Sequence, residues 1–218
     1  MPELRRTIIR GYFKPGEKID ILKLAEHYKS SITPVRDALR MLSQEGLVTI
    51  KPRSGYFVSQ ITVRQLCDLF EVREILEAAA IQRAAKRITL EQIEQLNHDY
   101  TGYVDEFYDR YIDENRRFHC LIAKASGNQE LEQMLGRVHD QLARFIFLVF
   151  LHTDKTQEQT HARIIEALRE RDAETALEAM LDEIRNTRDV VLAQVMEKQG
   201  AFWQIRDLET GKRQTLEV

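Results

Sequence analysis

The feature that most constrains this chain is a change of pattern near residue 60. Before it, helix, turn and strand signals follow one another every few residues; after it, every periodic stretch is helical. A break of this kind divides a small mixed unit from a helical one. Residues 4–9 read as a short helix, Lys14-Pro15-Gly16-Glu17 as a turn, and Asp20 as the cap of a helix reaching about Tyr28, with Ile21, Leu24 and Ala25 on one face. Thr33-Pro34 predicts another helix start, Thr33 as N-cap and Pro34 at the first helical position, where it forfeits no hydrogen bond. That helix runs to about Glu45 and stops at Gly46. Residues 47–50 and 56–59 read as short strands, joined by the basic turn Lys51-Pro52-Arg53-Ser54-Gly55.

Beyond residue 60, Thr62 with Gln65 and Thr89 with Gln92 have capping-box spacing, and Asn128 and Asp172 are further candidate caps. The periodicity predicts six helices near 62–87, 89–109, 112–125, 128–151, 156–170 and 172–198, which is a helical bundle. The expected organisation is therefore residues 1–60, a short join, an all-α domain over 61–200, and a weakly periodic tail over 201–218.

Charge follows the same division. The whole chain carries −3, but residues 1–60 carry +5 and the remainder −8, as expected when only one end meets phosphate. The most apolar run, residues 145–151, is far shorter than the roughly 18–20 residues that span a bilayer. Arg5, Arg6 and Arg10 are not followed by the apolar core of a signal peptide. Cys67 and Cys120 lack CxxC spacing, so a reducing, cytoplasmic setting with no cysteine metal site is expected.

The helix over 33–45 has two faces. Val35, Ala38, Leu39 and Leu42 form an apolar stripe, while Arg36 and Arg40, four apart, lie on another face with Thr33. An apolar back and a guanidinium front are what a recognition helix needs, since Arg pairs bidentately with guanine or with phosphate. A surface helix with solvated arginines is the alternative. The order of motifs Lys14-Pro-Gly-Glu-Lys-Ile, Leu24-Ala-Glu, Ser31-Ile-Thr-Pro-Val-Arg-Asp-Ala-Leu-Arg, Glu45-Gly-Leu-Val and Arg53-Ser-Gly-Tyr-Phe-Val closely resembles the GntR family of regulators and covers nearly all of residues 3–59. The resemblance implies a winged helix-turn-helix with a small β-hairpin wing. It also implies binding, as a homodimer, to a palindromic operator in double-stranded DNA, with Thr33, Arg36, Arg40, Arg53 and Gly55 at the interface. Many members carry Arg where this chain has Leu22 and Ile32, so contacts there are not expected. The chain begins inside what resembles the family's first helix.

The helical part resembles the FadR-type (FCD) effector domain, through Glu71-Val-Arg-Glu-Ile-Leu-Glu77, Asn115-Arg-Arg-Phe-His119, Ser126-Gly-Asn128 and His161. That subfamily often holds a metal with an Asp or Asn and three His. Asn115, His119 and His161 match the first three, and Glu183 stands at the fourth. Spacing is compatible: Asn115 and His119 are one turn apart, and His161 and Glu183 are each eleven residues from the turn at Asp172, so both lie roughly 16 Å along successive helices. Asn/His/His/Glu has the same formal charge as Asp/His/His/His and suits Zn²⁺, with Ni²⁺ or Mn²⁺ as alternatives. Hydrogen-bonded core histidines are the competing explanation. Of the remaining histidines, His27, His98, His139 and His152, only His139 is a candidate for pocket lining.

Arg73 falls on the stripe Leu66, Leu69/Phe70, Arg73, Glu77, Ala80, Ala84, where a guanidinium needs a partner. Either it pairs with Glu77, one turn on, or it clamps a carboxylate ligand, with Arg144 as a second candidate. The expectation is a ligand-responsive repressor that senses a small organic acid in a metal-containing pocket, not an enzyme. The rivals are a metal-dependent hydrolase and a purely structural metal site.

Overall fold

The computed structural model describes residues 2–99, 108–150 and 161–197. Among them the N-terminal part comprises α1 (Pro2–Ile9), β1 (Lys18–Ile19), α2 (Ile21–His27), α3 (Ile32–Gln44), β2 (Val48–Lys51) and β3 (Gly55–Val58). The strands form one antiparallel sheet in the order β1-β3-β2, with Lys51 opposite Gly55 closing the hairpin and Ile19 opposite Tyr56 at the other edge. Its core joins Leu4 and Ile8 of α1, Leu24 of α2, the predicted stripe Val35, Leu39 and Leu42 of α3, and Leu47, Val48 and Val58. This is a winged helix-turn-helix. The two-residue β1 escapes the sequence because it is too short to show an alternation.

Local chemistry explains the boundaries. Asp20 accepts the N–H groups of Leu22 and Lys23 and so starts α2. The α3 start differs from expectation. Ser31 takes the N-cap backbone position and makes no side-chain cap bond, and Thr33 lies in the first helical turn. Pro34 fits that turn because the first N–H groups of a helix have no intrahelical acceptor. At the other end Gly46 adopts φ +76°, Leu47 N–H donates to Leu42 C=O at 2.9 Å and Gly46 N–H to Ser43 C=O at 3.1 Å, a left-handed cap that turns the chain into the hairpin.

The rest is helical: α4 (Val63–Arg87), α5 (Leu90–Asp99), α6 (Tyr108–Ala125), α7 (Gln129–Phe150), α8 (His161–Glu170) and α9 (Ala173–Glu197). Thr62 caps α4 through Gln65 N–H, Thr89 and Gln92 exchange reciprocal cap bonds, and Asp172 caps α9 through the Glu174 and Thr175 N–H groups. The helix predicted over 89–109 is described as α5 as far as Asp99. Residues 100–107, 151–160 with His152, and the tail over 201–218 lie outside the described residues. α4 runs through the middle, against α9, α7 and α6, and α8 packs back on α9. The bundle core includes Leu66, Phe70, Ile81, Phe118, Leu142, Phe145, Ile164, Met180 and Ile184. No helix among the described residues is long and apolar enough to cross a membrane.

Candidate functional site

The first candidate site is the exposed front of the winged domain. Burying Val35, Ala38, Leu39 and Leu42 turns Thr33, Arg36 and Arg40 outward along one face of α3. Arg40 makes one loose contact, to Asp37 at 3.3 Å with both side chains mostly exposed, which holds neither in place. At the hairpin tip Arg53 is exposed with φ +61°, and Gly55 has φ +112°, which glycine alone adopts readily. All five residues expected to read DNA are thus on the winged domain, three on one helix face and two at the wing tip.

The second site is inside the helical domain. Arg73 and Glu77 are fully buried on α4, one turn apart. Arg73 Nη2 donates to Glu183 Oε2 on α9 at 2.9 Å and to His119 Nε2 on α6 at 2.9 Å, while its Nε reaches Glu77 Oε1 at 3.4 Å. A guanidinium can only donate, so His119 Nε2 is the acceptor of this contact. His119 Nδ1 lies 2.9 Å from Glu77 Oε1 but outside hydrogen-bond geometry. The second oxygen of Glu183 accepts from Thr187 at 3.1 Å. His161, at the start of α8, stacks face to face on Phe118 with ring centroids 3.8 Å apart and meets His119 edge-on at 5.3 Å. The equal spacing of His161 and Glu183 from Asp172 does bring them to one level of the α8–α9 hairpin.

His119, His161 and Glu183 each present a ligand atom within 4.8 Å of the others. Asn115 sits half-buried one turn before His119, and no described contact joins it to them. A second group, Glu77, His119 and His139, overlaps the first. His139 on α7 bonds Glu77 Oε1 at 2.8 Å and stacks on His119 at 4.7 Å. The sequence singled out His139 only as worth checking. Its signal was its place on the buried face of α7, beside Leu135, Val138 and Leu142.

Burial dominates the electrostatics. It pushes His139 down to about 4 and His161 down to about 3, so both are neutral at pH 7. Burial alone would raise the Glu77 and Glu183 carboxyls. The neighbouring His119 and His139 hold Glu77 well below the ordinary range, and Arg73, with His119, keeps Glu183 low. The centre therefore encloses one guanidinium and two carboxylates, all buried.

Arg144 is placed elsewhere. Though almost wholly buried on α7, it donates to the Ser59 carbonyl at 3.0 Å, on the join between the two parts, and burial lowers it to about 10. Two of its neighbours on α7 also connect the parts. Asp140 binds Arg5 of α1 as well as Arg116 of α6, the latter at 2.8 Å; Arg5 also holds Glu45, the C-cap of α3, at 2.7 Å; and Gln141 bonds the Glu45 carbonyl. His139, which completes this run, is the residue that touches Glu77. One stretch of α7 thus faces the buried centre with one side chain and the base of the winged domain with the next two.

Comparison with known proteins agrees with this architecture. Residues 2–58 match the family described as bacterial regulatory proteins, gntR family, and residues 68–186 match the FCD domain. The HTH-type transcriptional regulator YdhC of Bacillus subtilis (strain 168) is 28% identical over 191 residues, covering 82% of this chain and 83% of its own. The HTH-type transcriptional repressor GlaR of Escherichia coli (strain K12) is 29% identical over 196 residues, covering 81% and 87%. Among solved structures, E. coli McbR/YncC superposes with a TM-score of 0.75 at 20% identity, covering 89% of this chain and 95% of that one.

Proposed function

The chain belongs to the gntR family of bacterial regulatory proteins, with an FCD domain as its larger part, and from that premise we propose that it is a cytoplasmic, homodimeric repressor whose operator affinity is set by a small organic acid bound at the Arg73 centre. The observation that carries the reading is the continuity of α7, where His139 touches Glu77 of the centre and Asp140 and Gln141 hold the winged domain. A ligand can change DNA binding only through contacts that differ between two arrangements of the molecule. This stretch of α7 touches the centre through His139 and the winged domain through Asp140 and Gln141, and so would carry such a change.

The donor set fits a divalent ion. Two imidazoles and a carboxylate are a three-ligand arrangement that leaves a coordination position open, and two buried carboxylates against one guanidinium favour a cation and disfavour an anion arriving alone. His119, His161 and Glu183 would hold Zn²⁺, or Ni²⁺ or Mn²⁺, with Asn115 a turn away as the expected fourth donor. When bound, the ion would supply a Lewis-acidic anchor for a carboxylate. Arg73 would then orient the acid through its planar fork.

Thr33, Arg36, Arg40, Arg53 and Gly55 would contact the operator, the helix face entering the major groove and the wing tip lying along the backbone. Val72 and Ile75 leave apolar side chains exposed on α4, a surface that pairing of two chains would cover. The test is fluorescence anisotropy on the promoter DNA of the neighbouring genes, with Zn²⁺ and a panel of mono- and dicarboxylates. A ligand-dependent change in operator Kd, with two chains per palindrome by sedimentation, is expected. Turnover of an acid derivative, or a bound ion with no effect of any acid on Kd, would instead indicate a hydrolase or a purely structural site.

A further inference from the structure

The guanidinium of Arg73 sits where an ion held by His119 and Glu183 would have to draw its electrons. Those two atoms, Nε2 and Oε2, are 3.7 Å apart, and Arg73 Nη2 is 2.9 Å from each. A guanidinium hydrogen-bonded to both lone pairs and a cation coordinated by both exclude one another, since they use the same electron pairs and carry the same sign. The rest of Arg73's hold is weaker, a single 3.4 Å contact from Nε to Glu77. Glu77 is one turn away on the same helix, so it stays within reach of a guanidinium that has left Glu183 and His119. The carboxylate at position 183 is what makes the competition strong. A neutral imidazole there would give Arg73 no opposite charge on α9.

We propose that Arg73 is an internal counter-cation that competes with a divalent ion for His119 and Glu183, so that loading the His119–His161–Glu183 group frees the Arg73 fork for an organic carboxylate. This deepens the metal-and-acid reading above and rests on it. It orders the two ligands. In the metal-free protein the fork is occupied and an incoming acid faces Glu77 and Glu183. With the ion in place the net charge is positive and the fork has lost its partner. Acid and metal then bind with positive cooperativity, each raising the affinity for the other by the same factor.

The test is a Zn²⁺ titration of the full-length protein against a chromogenic chelator, for wild type, Arg73→Met and Glu183→His. Arg73→Met keeps an unbranched side chain in the buried site and removes the competing charge; it is expected to bind Zn²⁺ at least tenfold more tightly than wild type. Glu183→His keeps a donor on α9 but removes the guanidinium's carboxylate, and is also expected to bind more tightly. It decides the matter if Arg73→Met does not fold. Tighter binding in Arg73→Met while wild type shows none supports the competition in its strongest form and confines the failure to the metal reading of the wild type. Wild-type binding with equal or weaker binding in both variants overturns the competition and leaves the metal reading standing. No binding in any of the three overturns both.

Discussion

Arg5 of the winged domain and Asp140 of the helical domain form an ion pair across the join, and Arg5 simultaneously holds Glu45, the C-cap of α3. Burial would lower the Arg5 pKa, but its two carboxylate partners raise it, so the cation is firmly held. Asp140 also receives Arg116. Asp140→Asn leaves two half-buried guanidinium groups short of a counter-charge, at a cost of roughly 1–3 kcal/mol for a partly buried pair. The expected outcome by calorimetry is a drop of a few degrees in Tm, at about 2–4 °C per kcal/mol for a chain of this size, and separation of the winged domain's melting from that of the bundle. An unaltered single transition would show that the pair does not couple the domains.

The exposed guanidiniums of α3 lead to a second expectation. Arg36→Ala and Arg40→Ala each remove an exposed cation, so folding stability should change by no more than about 0.5 kcal/mol. A lost base contact is worth roughly 1–3 kcal/mol, or about tenfold in operator Kd. A lost phosphate contact would instead weaken binding to all sequences and flatten the salt dependence. Anisotropy titrations at two salt concentrations separate the two cases. Unchanged affinity in both variants would remove α3 from the interface.

Much of this was legible in the sequence, and the parts that were not share a physical cause. Caps and periodicity depend on neighbours in the chain, so Asp20, Thr62, Thr89 with Gln92, and Asp172 were readable where they stand. The resemblance singled out His161 and Glu183, and helix rise made their convergence at one level of the hairpin possible. Arg144 and His139 could not be assigned that way. Both lie on the inward side of α7, and whether such a residue meets a pocket or a domain join depends on helices far away in sequence. Arg144 meets the Ser59 carbonyl, while His139 meets Glu77 of α4. Thr33 was misplaced as N-cap by two residues because Ser31 and Thr33 both carry a capping hydroxyl, and the backbone turned at the first.

Protons offer a third test, on chelator-treated protein. His139 titrates at about 4 and His161 at about 3 when folded, against about 6.5 when unfolded. The unfolded chain thus takes up protons that the folded one refuses, so stability is complete above pH 6.5 and falls as pH drops toward 4, by at most about 1.4 kcal/mol per pH unit for each histidine. Glu77 and Glu183, held low in the fold, act in the same direction below their unfolded pKa. Tm should therefore fall between pH 7 and pH 5, with a shallower slope in His139→Gln. A flat or rising Tm over that interval, or an unchanged slope in the variant, contradicts the buried neutral histidines.

The final prediction uses the contrast between Glu183 and Asn115. Glu183 Oε2 is one of three atoms that converge, and it carries the only negative charge among the three side chains in that group. Asn115 is a turn from His119 with no described contact to the group, so its amide is at best a weak, neutral donor. Glu183→Gln should weaken Zn²⁺ binding by tenfold or more, because it replaces the anionic ligand with a weakly donating neutral amide. Asn115→Asp should change affinity less, and toward tighter binding, since it adds a carboxylate at the edge of the site. The double variant Asn115→Asp/Glu183→His, which supplies one Asp and three His, should bind at least as tightly as wild type. Zn²⁺-dependent Tm shifts and chelator competition on the four proteins would rank them. Equal affinities in wild type and Glu183→Gln would show that Glu183 serves only as the partner of Arg73 and is not a ligand.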